Sequence, residues 1–178
     1  ESNSWSSKHI IEPVGEKFVH ITSPWPLLTQ QELDSVYDLP YTRKPHPRYG
    51  VKPISAYEMI KFSVNTHRGC FGSCTFCTIS AHQGKFVQSR SENSVIKEVE
   101  KIVSMEDFRG NISDLGGPSA NMYKMEGKNL LQCHKCRRDS CIYPNLCNNL
   151  NNSHTPLLEQ NKKVAVVKGV KKAFIGSG

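Results

Sequence analysis

The chain has 178 residues, 23 Lys and Arg against 16 Asp and Glu, a formal net charge of +7 and seven cysteines. That length fits one ordinary domain, and with 37% hydrophobic residues a packed core is attainable. The absence of any run of about 18 apolar residues excludes a membrane-spanning helix, and the polar stretch from Glu1 to Lys8 is not expected to act as a secretory signal peptide. The mean hydropathy of −0.48 implies much loop and surface. The basic residues form no long block, so most of the charge reads as solvated surface, permitting a nucleic-acid partner without requiring one.

In chain order, residues 1–58 predict an irregular segment or connector, because Pro13, Pro24, Pro26, Pro40, Pro45, Pro47 and Pro53 interrupt any long helix. One short helix is expected after Thr29, carrying Gln31, Glu32, Leu33 and Val36. The basic and aromatic stretch Tyr41 to Tyr49 reads as an extended connector.

From Met59 the pattern changes. Ile60, Phe62 and Val64 alternate with polar residues, predicting a first strand. A cysteine-rich loop, Thr66 to Cys77, follows directly. Val95, Ile96, Val99, Ile102 and Val103 then recur at helical spacing, with Ser91, Asn93 or Ser94 as the cap. A second strand is expected over Asn111 to Leu115, ending in Gly116-Gly117-Pro118. After the insertion at 119–154, Thr155-Pro156 predicts an N-cap and N1 pair for a helix closed by Gly169, and Val170 to Ile175 a third strand. Strand, helix, strand, helix, strand makes two crossovers sharing a strand, so the fold class is α/β with a parallel sheet. Ligand sites in such sheets lie at the C-terminal strand ends. The cysteine loop and the Gly116-Gly117 loop both sit there and are expected to face one cavity.

The cysteines divide into three and four. An odd count at short spacings, without an export signal, argues for metal or cluster ligation in a reducing, cytoplasmic compartment rather than a disulfide scaffold. Cys70-x3-Cys74-x2-Cys77 supplies three thiolates from one loop, one fewer than a cubane iron–sulfur cluster normally takes, leaving an iron open. The alternative for the same residues is zinc, with His67 or His82 as fourth ligand. Cys133-x2-Cys136-x4-Cys141-x5-Cys147 supplies four thiolates in fifteen residues. These suit zinc, an auxiliary iron–sulfur cluster or no metal at all, with His134 and His154 as alternative ligands.

The run Cys70-Phe71-Gly72-Ser73-Cys74-Thr75-Phe76-Cys77 resembles the C-x3-C-x-aromatic-C signature of radical S-adenosylmethionine enzymes. Gly116-Gly117-Pro118 resembles that family's GGE-type motif, with Pro118 where an acidic residue is usual. His67 to Gly72, Ala81 to Lys85, Gln88 to Ser91 and Asp114 to Pro118 together resemble the YgiQ-type radical SAM proteins, from about Tyr41 to the end. The resemblance implies a [4Fe-4S] cluster on Cys70, Cys74 and Cys77 whose open iron chelates S-adenosylmethionine. It implies reductive cleavage of that cofactor to a 5′-deoxyadenosyl radical that abstracts hydrogen from a substrate. Phe76 is then expected near the adenine, Gly116 and Gly117 near the methionine amine, and Gln88, Ser89 and Arg90 either around the cavity or as a helix lead-in. Implied partners are S-adenosylmethionine and an electron donor such as flavodoxin or ferredoxin, with no membrane.

The resemblance further implies the first βα units of a partial TIM barrel over residues 59–178, a larger body than three strands can close. The chain is therefore expected to be a fragment, unstable and catalytically incompetent alone. Two rival classes remain: a zinc module on nucleic acid, and an electron-transfer protein without S-adenosylmethionine chemistry.

Overall fold

The computed structural model describes residues 3–118 and 120–176. The outermost residues of the segments expected at 1–58 and 59–178, and the first residue of the 119–154 insertion, lie outside the described residues.

The elements in chain order are β1 (Ile10–Val14), β2 (Lys17–Ile21), α1 (Gln30–Tyr37), α2 (Ser55–Ile60), β3 (Ser63–Asn65), β4 (His67–Arg68), α3 (Ile79–Gln83) and β5 (Gln88–Ser89). There follow α4 (Glu92–Val103), β6 (Asn111–Ile112), β7 (Asp114–Gly116), β8 (Glu126–Gly127), α5 (Leu130–His134), β9 (Leu150–Asn151), α6 (Thr155–Ala165) and β10 (Lys172–Ala173). The protein is mixed α/β with small sheets, and the described residues close no barrel.

The three strands of the expected crossovers do pair in parallel. β3 runs beside β7, with Val64 opposite Leu115, and β10 beside β6, with Ala173 opposite Ile112. Hydrogen bonds extend both ladders, from Ser113 N–H to Phe62 O (3.1 Å), Thr66 N–H to Gly116 O (2.7 Å) and Leu115 N–H to Phe174 O (2.8 Å). Segment 111–116 is thus flanked on both sides. α4 covers it, because Val95, Val99 and Ile102 repeat at helical spacing and bury completely against Val64, Ile112, Leu115 and Val164. Each such side chain contributes roughly 1.5–3 kcal/mol by leaving water.

Caps match the residue types that make them. Thr29 closes a capping box with Glu32 at the start of α1, and the Ser91 hydroxyl accepts from Ser94 N–H at the start of α4.

Four expectations are corrected. The strand expected from Met59 begins only at Ser63, because 55–60 wind into α2. A six-residue apolar–polar alternation fits a short helix as well as a strand until packing decides. The irregular first segment contains the β1–β2 hairpin, an antiparallel pair turning at Gly15 with Pro13 in its register. Both of its strands are exposed along their whole length, so burial left no period-2 signal to find. His154, not Thr155, is the N-cap of α6, and the helix ends at Ala165 rather than running to Gly169, whose positive φ turns the chain afterwards. Within 41–49, Pro47–Tyr49 forms a single 3-10 turn.

Candidate metal and cofactor site

β3 delivers the chain to the first cysteine loop through Thr66 and β4, and β4 pairs antiparallel with β5. Cys70 N–H donates to Gly84 O at 3.0 Å, and Cys77 N–H to Cys74 O at 3.0 Å, so the loop folds back on itself. Cys70 is buried, Cys77 half-buried and Cys74 exposed, and all seven cysteines are free thiols. Gly72 is where two of the first three meet. A Cβ there would lie 3.3 Å from Cys70 Sγ and 3.7 Å from Cys74 Sγ, and Gly72 N–H donates to Cys70 Sγ at 3.4 Å. The missing side chain lets two sulfurs approach the same stretch of backbone, with an amide aimed at one of them, and this fits thiolate ligands of a cluster. Among the described residues, no three His, Cys, Asp or Glu side chains converge as a metal-ligand set.

Phe76 is 91% exposed on the rim of this loop. Gly116 and Gly117 are buried. The Gly116 carbonyl accepts from Thr66 N–H, and Gly117 lies against the imidazole of His67. His67 is wholly buried, with Nδ1 3.0 Å from Thr66 Oγ1 and Nε2 accepting from Met122 N–H at 3.4 Å. Burial pushes its pKa down to about 4, against a smaller opposing effect of a backbone hydrogen bond at Ala120. It therefore sits as a neutral support beneath the glycine loop. His82 is exposed.

Gln88 and Ser89 line a cavity of about 320 Å³ with Leu27, Leu28 and Lys124, and the Ser89 hydroxyl accepts from Lys124 N–H at 2.8 Å. Arg90 does not line it. Only 1% exposed, it donates to Asn65 O (2.8 Å), Ser94 O (2.8 Å) and Glu98, and stacks its guanidinium 3.9 Å from the Tyr37 ring centre. Glu98 also takes Arg43, which donates to Ser63 O at 2.8 Å. Arg90 thus ties the end of β3 to the start of α4 and to α1, the helix lead-in role.

The second cysteine group comes to the same neighbourhood, which spacing alone did not indicate. Ser140 Oγ donates to Gly72 O (2.7 Å) and Cys141 N–H to Phe71 O (2.9 Å). Cys133, Cys136, Cys141 and Cys147 line a largely apolar cavity of about 370 Å³ with Phe71, Met125 and Leu150. Burial, then the neighbouring Cys136 and Cys147 thiols, push the Cys133 thiol up; burial does the same to Cys141, with Lys85 opposing. His134 stacks on Trp5 with ring centres 4.0 Å apart, and exposed His154 caps α6. Lys85, invisible as a site residue in the sequence, is buried here.

A Radical SAM N-terminal family model matches residues 1–63, ahead of the cysteine loop. Over its whole length the chain is 57% identical to a UPF0313 protein of Bacteroides thetaiotaomicron and 56% identical to one of Porphyromonas gingivalis, covering 29% and 28% of those proteins. It is 46% identical to the UPF0313 protein YgiQ of Escherichia coli, covering 24% of it. The chain thus spans less than a third of the relatives it matches. No solved structure matches it. No helix among the described residues is long and apolar enough to cross a membrane.

Proposed function

The chain belongs to the YgiQ-type UPF0313 family of radical SAM proteins, and from that membership and the loop geometry we propose that Cys70, Cys74 and Cys77 hold a [4Fe-4S] cluster that binds S-adenosylmethionine. The observation that carries this reading is the approach of the Cys70 and Cys74 sulfurs to Gly72, 3.3 and 3.7 Å from where a Cβ would stand. When bound, the cluster supplies the electron that cleaves the C5′–S bond of S-adenosylmethionine.

This chain's residues bind, orient and exclude water. The three thiolates are the ligands, and Gly72 N–H donates toward Cys70 Sγ. Phe76, exposed beside Cys77, would cover a flat ring such as adenine, burying apolar surface as it does so. Gly116 and Gly117 present main chain rather than side chain, and backbone carbonyls are the acceptors an ammonium needs. His67 holds that loop from beneath. The seven free thiols suit a reducing compartment such as the cytoplasm. First βα units of a partial barrel are the frame proposed for the parallel strands, while substrate and electron donor, a flavodoxin or ferredoxin, belong to the whole protein.

The test is iron and sulfide analysis with EPR on the anaerobically purified full-length protein. A reduced-cluster signal lost on Cys70→Ala, Cys74→Ala or Cys77→Ala, and altered by adding S-adenosylmethionine, is the outcome expected. A signal indifferent to S-adenosylmethionine would instead indicate an electron-transfer protein, and zinc without iron a zinc module.

A further inference from the structure

We propose that Cys133, Cys136, Cys141 and Cys147 form a second metal centre, a four-thiolate site for a soft metal, which pins residues 120–154 onto the Cys70 loop. The four side chains line the walls of one cavity without meeting at a point, so a metal would draw them together across it. The remaining surface is mainly apolar, with Phe71, Val87, Leu130 and Leu150. Backbone bonds fold the ligands into two pairs, Cys136 N–H to Cys133 O (3.1 Å) and Cys147 N–H to Cys141 O (2.8 Å). Room for sulfur is built in as well. Gly127 packs so closely that a Cβ there would lie 2.2 Å from Cys133 Sγ, and Asn149 Nδ2 donates to the same sulfur at 3.2 Å.

The charge points the same way. Lys85 is 3% exposed, and its ammonium reaches Cys136 Sγ at 3.7 Å and the Arg138 carbonyl. Among the described residues no carboxylate pairs with it. A buried cation requires anionic compensation, and of the anion-forming groups that line this cavity with Lys85, the four thiols and Glu126, the Cys136 sulfur is the one its ammonium reaches. Four thiolates on a divalent metal carry a net charge of −2, which a buried ammonium offsets; without a metal, four thiolates in one cavity repel.

The segment's own regular structure is slight. Its regular structure is the five-residue α5 and the two-residue β8–β9 ladder, while Leu131, Ile142, Tyr143 and Leu146 are exposed. Its apolar anchor is the small cluster of Met122, Met125 and Leu150 on Phe71, and metal binding adds folding free energy to it. The product is a brace, because Ser140 and Cys141 are bonded to Gly72 and Phe71 of the first loop. Zinc and an iron–sulfur cluster share this ligand chemistry.

The test uses the full-length protein carrying Cys70→Ala/Cys74→Ala/Cys77→Ala, purified anaerobically and analysed for iron, acid-labile sulfide and zinc per polypeptide. Either one zinc, or iron with matching sulfide, should remain, and adding Cys136→Ser/Cys147→Ser should abolish it. A natively folded triple variant devoid of all three overturns the proposal. This failure is separable from failure of the first site, which is read on the other three cysteines. As a check independent of variant folding, iodoacetamide mapping of the wild-type protein should find the four thiols protected until a chelator is added. Labelling of all four in natively folded protein before chelation overturns the proposal equally.

Discussion

The imidazole of His67 occupies the space that any side chain at Gly117 would need: a Cβ on Gly117 would lie 2.2 Å from both Cε1 and Nε2 of the ring. His67 leaves the first parallel strand and Gly117 the second, so this one contact sets how the two loops at the strand ends sit together. Gly117→Ala must displace a wholly buried ring and should destabilise by about 1–3 kcal/mol in urea unfolding. Paired with His67→Ala, the cost of Gly117→Ala should shrink, a coupling that a double-mutant cycle measures. Additive losses would show that the ring and the glycine do not meet.

The same burial gives His67 a pH signature. Its folded pKa, about 4, lies below the ordinary value of 6.5, so between those values the unfolded chain binds a proton that the folded chain refuses. Stability is therefore complete above about pH 6.5 and falls as the pH drops toward 4, by about 2 kcal/mol between pH 7 and pH 5. Below 4 both states are protonated and the loss levels off. His67→Gln should remove this component of the slope, and urea midpoints across pH 4 to 7 check it.

Gly72 is the position at which a minimal change should separate cluster loading from folding. Gly72→Ala adds a methyl 3.3 Å from Cys70 Sγ and 3.7 Å from Cys74 Sγ, tight yet short of a clash. Iron and sulfide retention should fall several-fold while the circular dichroism stays native. Undiminished loading would mean that the cluster does not sit against Gly72.

Glu98 holds two guanidiniums, those of Arg90 and Arg43, in a largely buried setting. Glu98→Ala leaves both without their shared anion and should cost roughly 3–5 kcal/mol. Arg90→Lys should also destabilise, because one ammonium cannot replace a planar fork reaching Asn65 O, Ser94 O and Glu98 together. Loss of cluster with unchanged stability in either variant would assign Arg90 to the site instead of to the frame.

The local grammar was readable from the chain. Thr29 and Ser91 cap helices because a hydroxyl at that position meets an unpaired amide two or three residues on, a contact wholly within one segment. The helix over 92–103 and its buried face followed from Val95, Val99 and Ile102, and the parallel pairing followed from the alternation of strands and helices. The cysteine spacing alone separated a group of three from a group of four and named the first as ligands to propose.

What joined these pieces was decided between residues far apart in sequence, where period and spacing carry no information. His67 beneath Gly117, Ser140 on Gly72, and Lys85 beside Cys136 are each separated by fifty residues or more. Such contacts form because a buried polar group must find a partner wherever the packed chain offers one. The sequence by itself determined which thiols were present and in what order. Only tertiary packing brought the group of four against the loop of the group of three and set a buried lysine beside Cys136, since a buried ammonium needs partners that its neighbours in sequence do not supply.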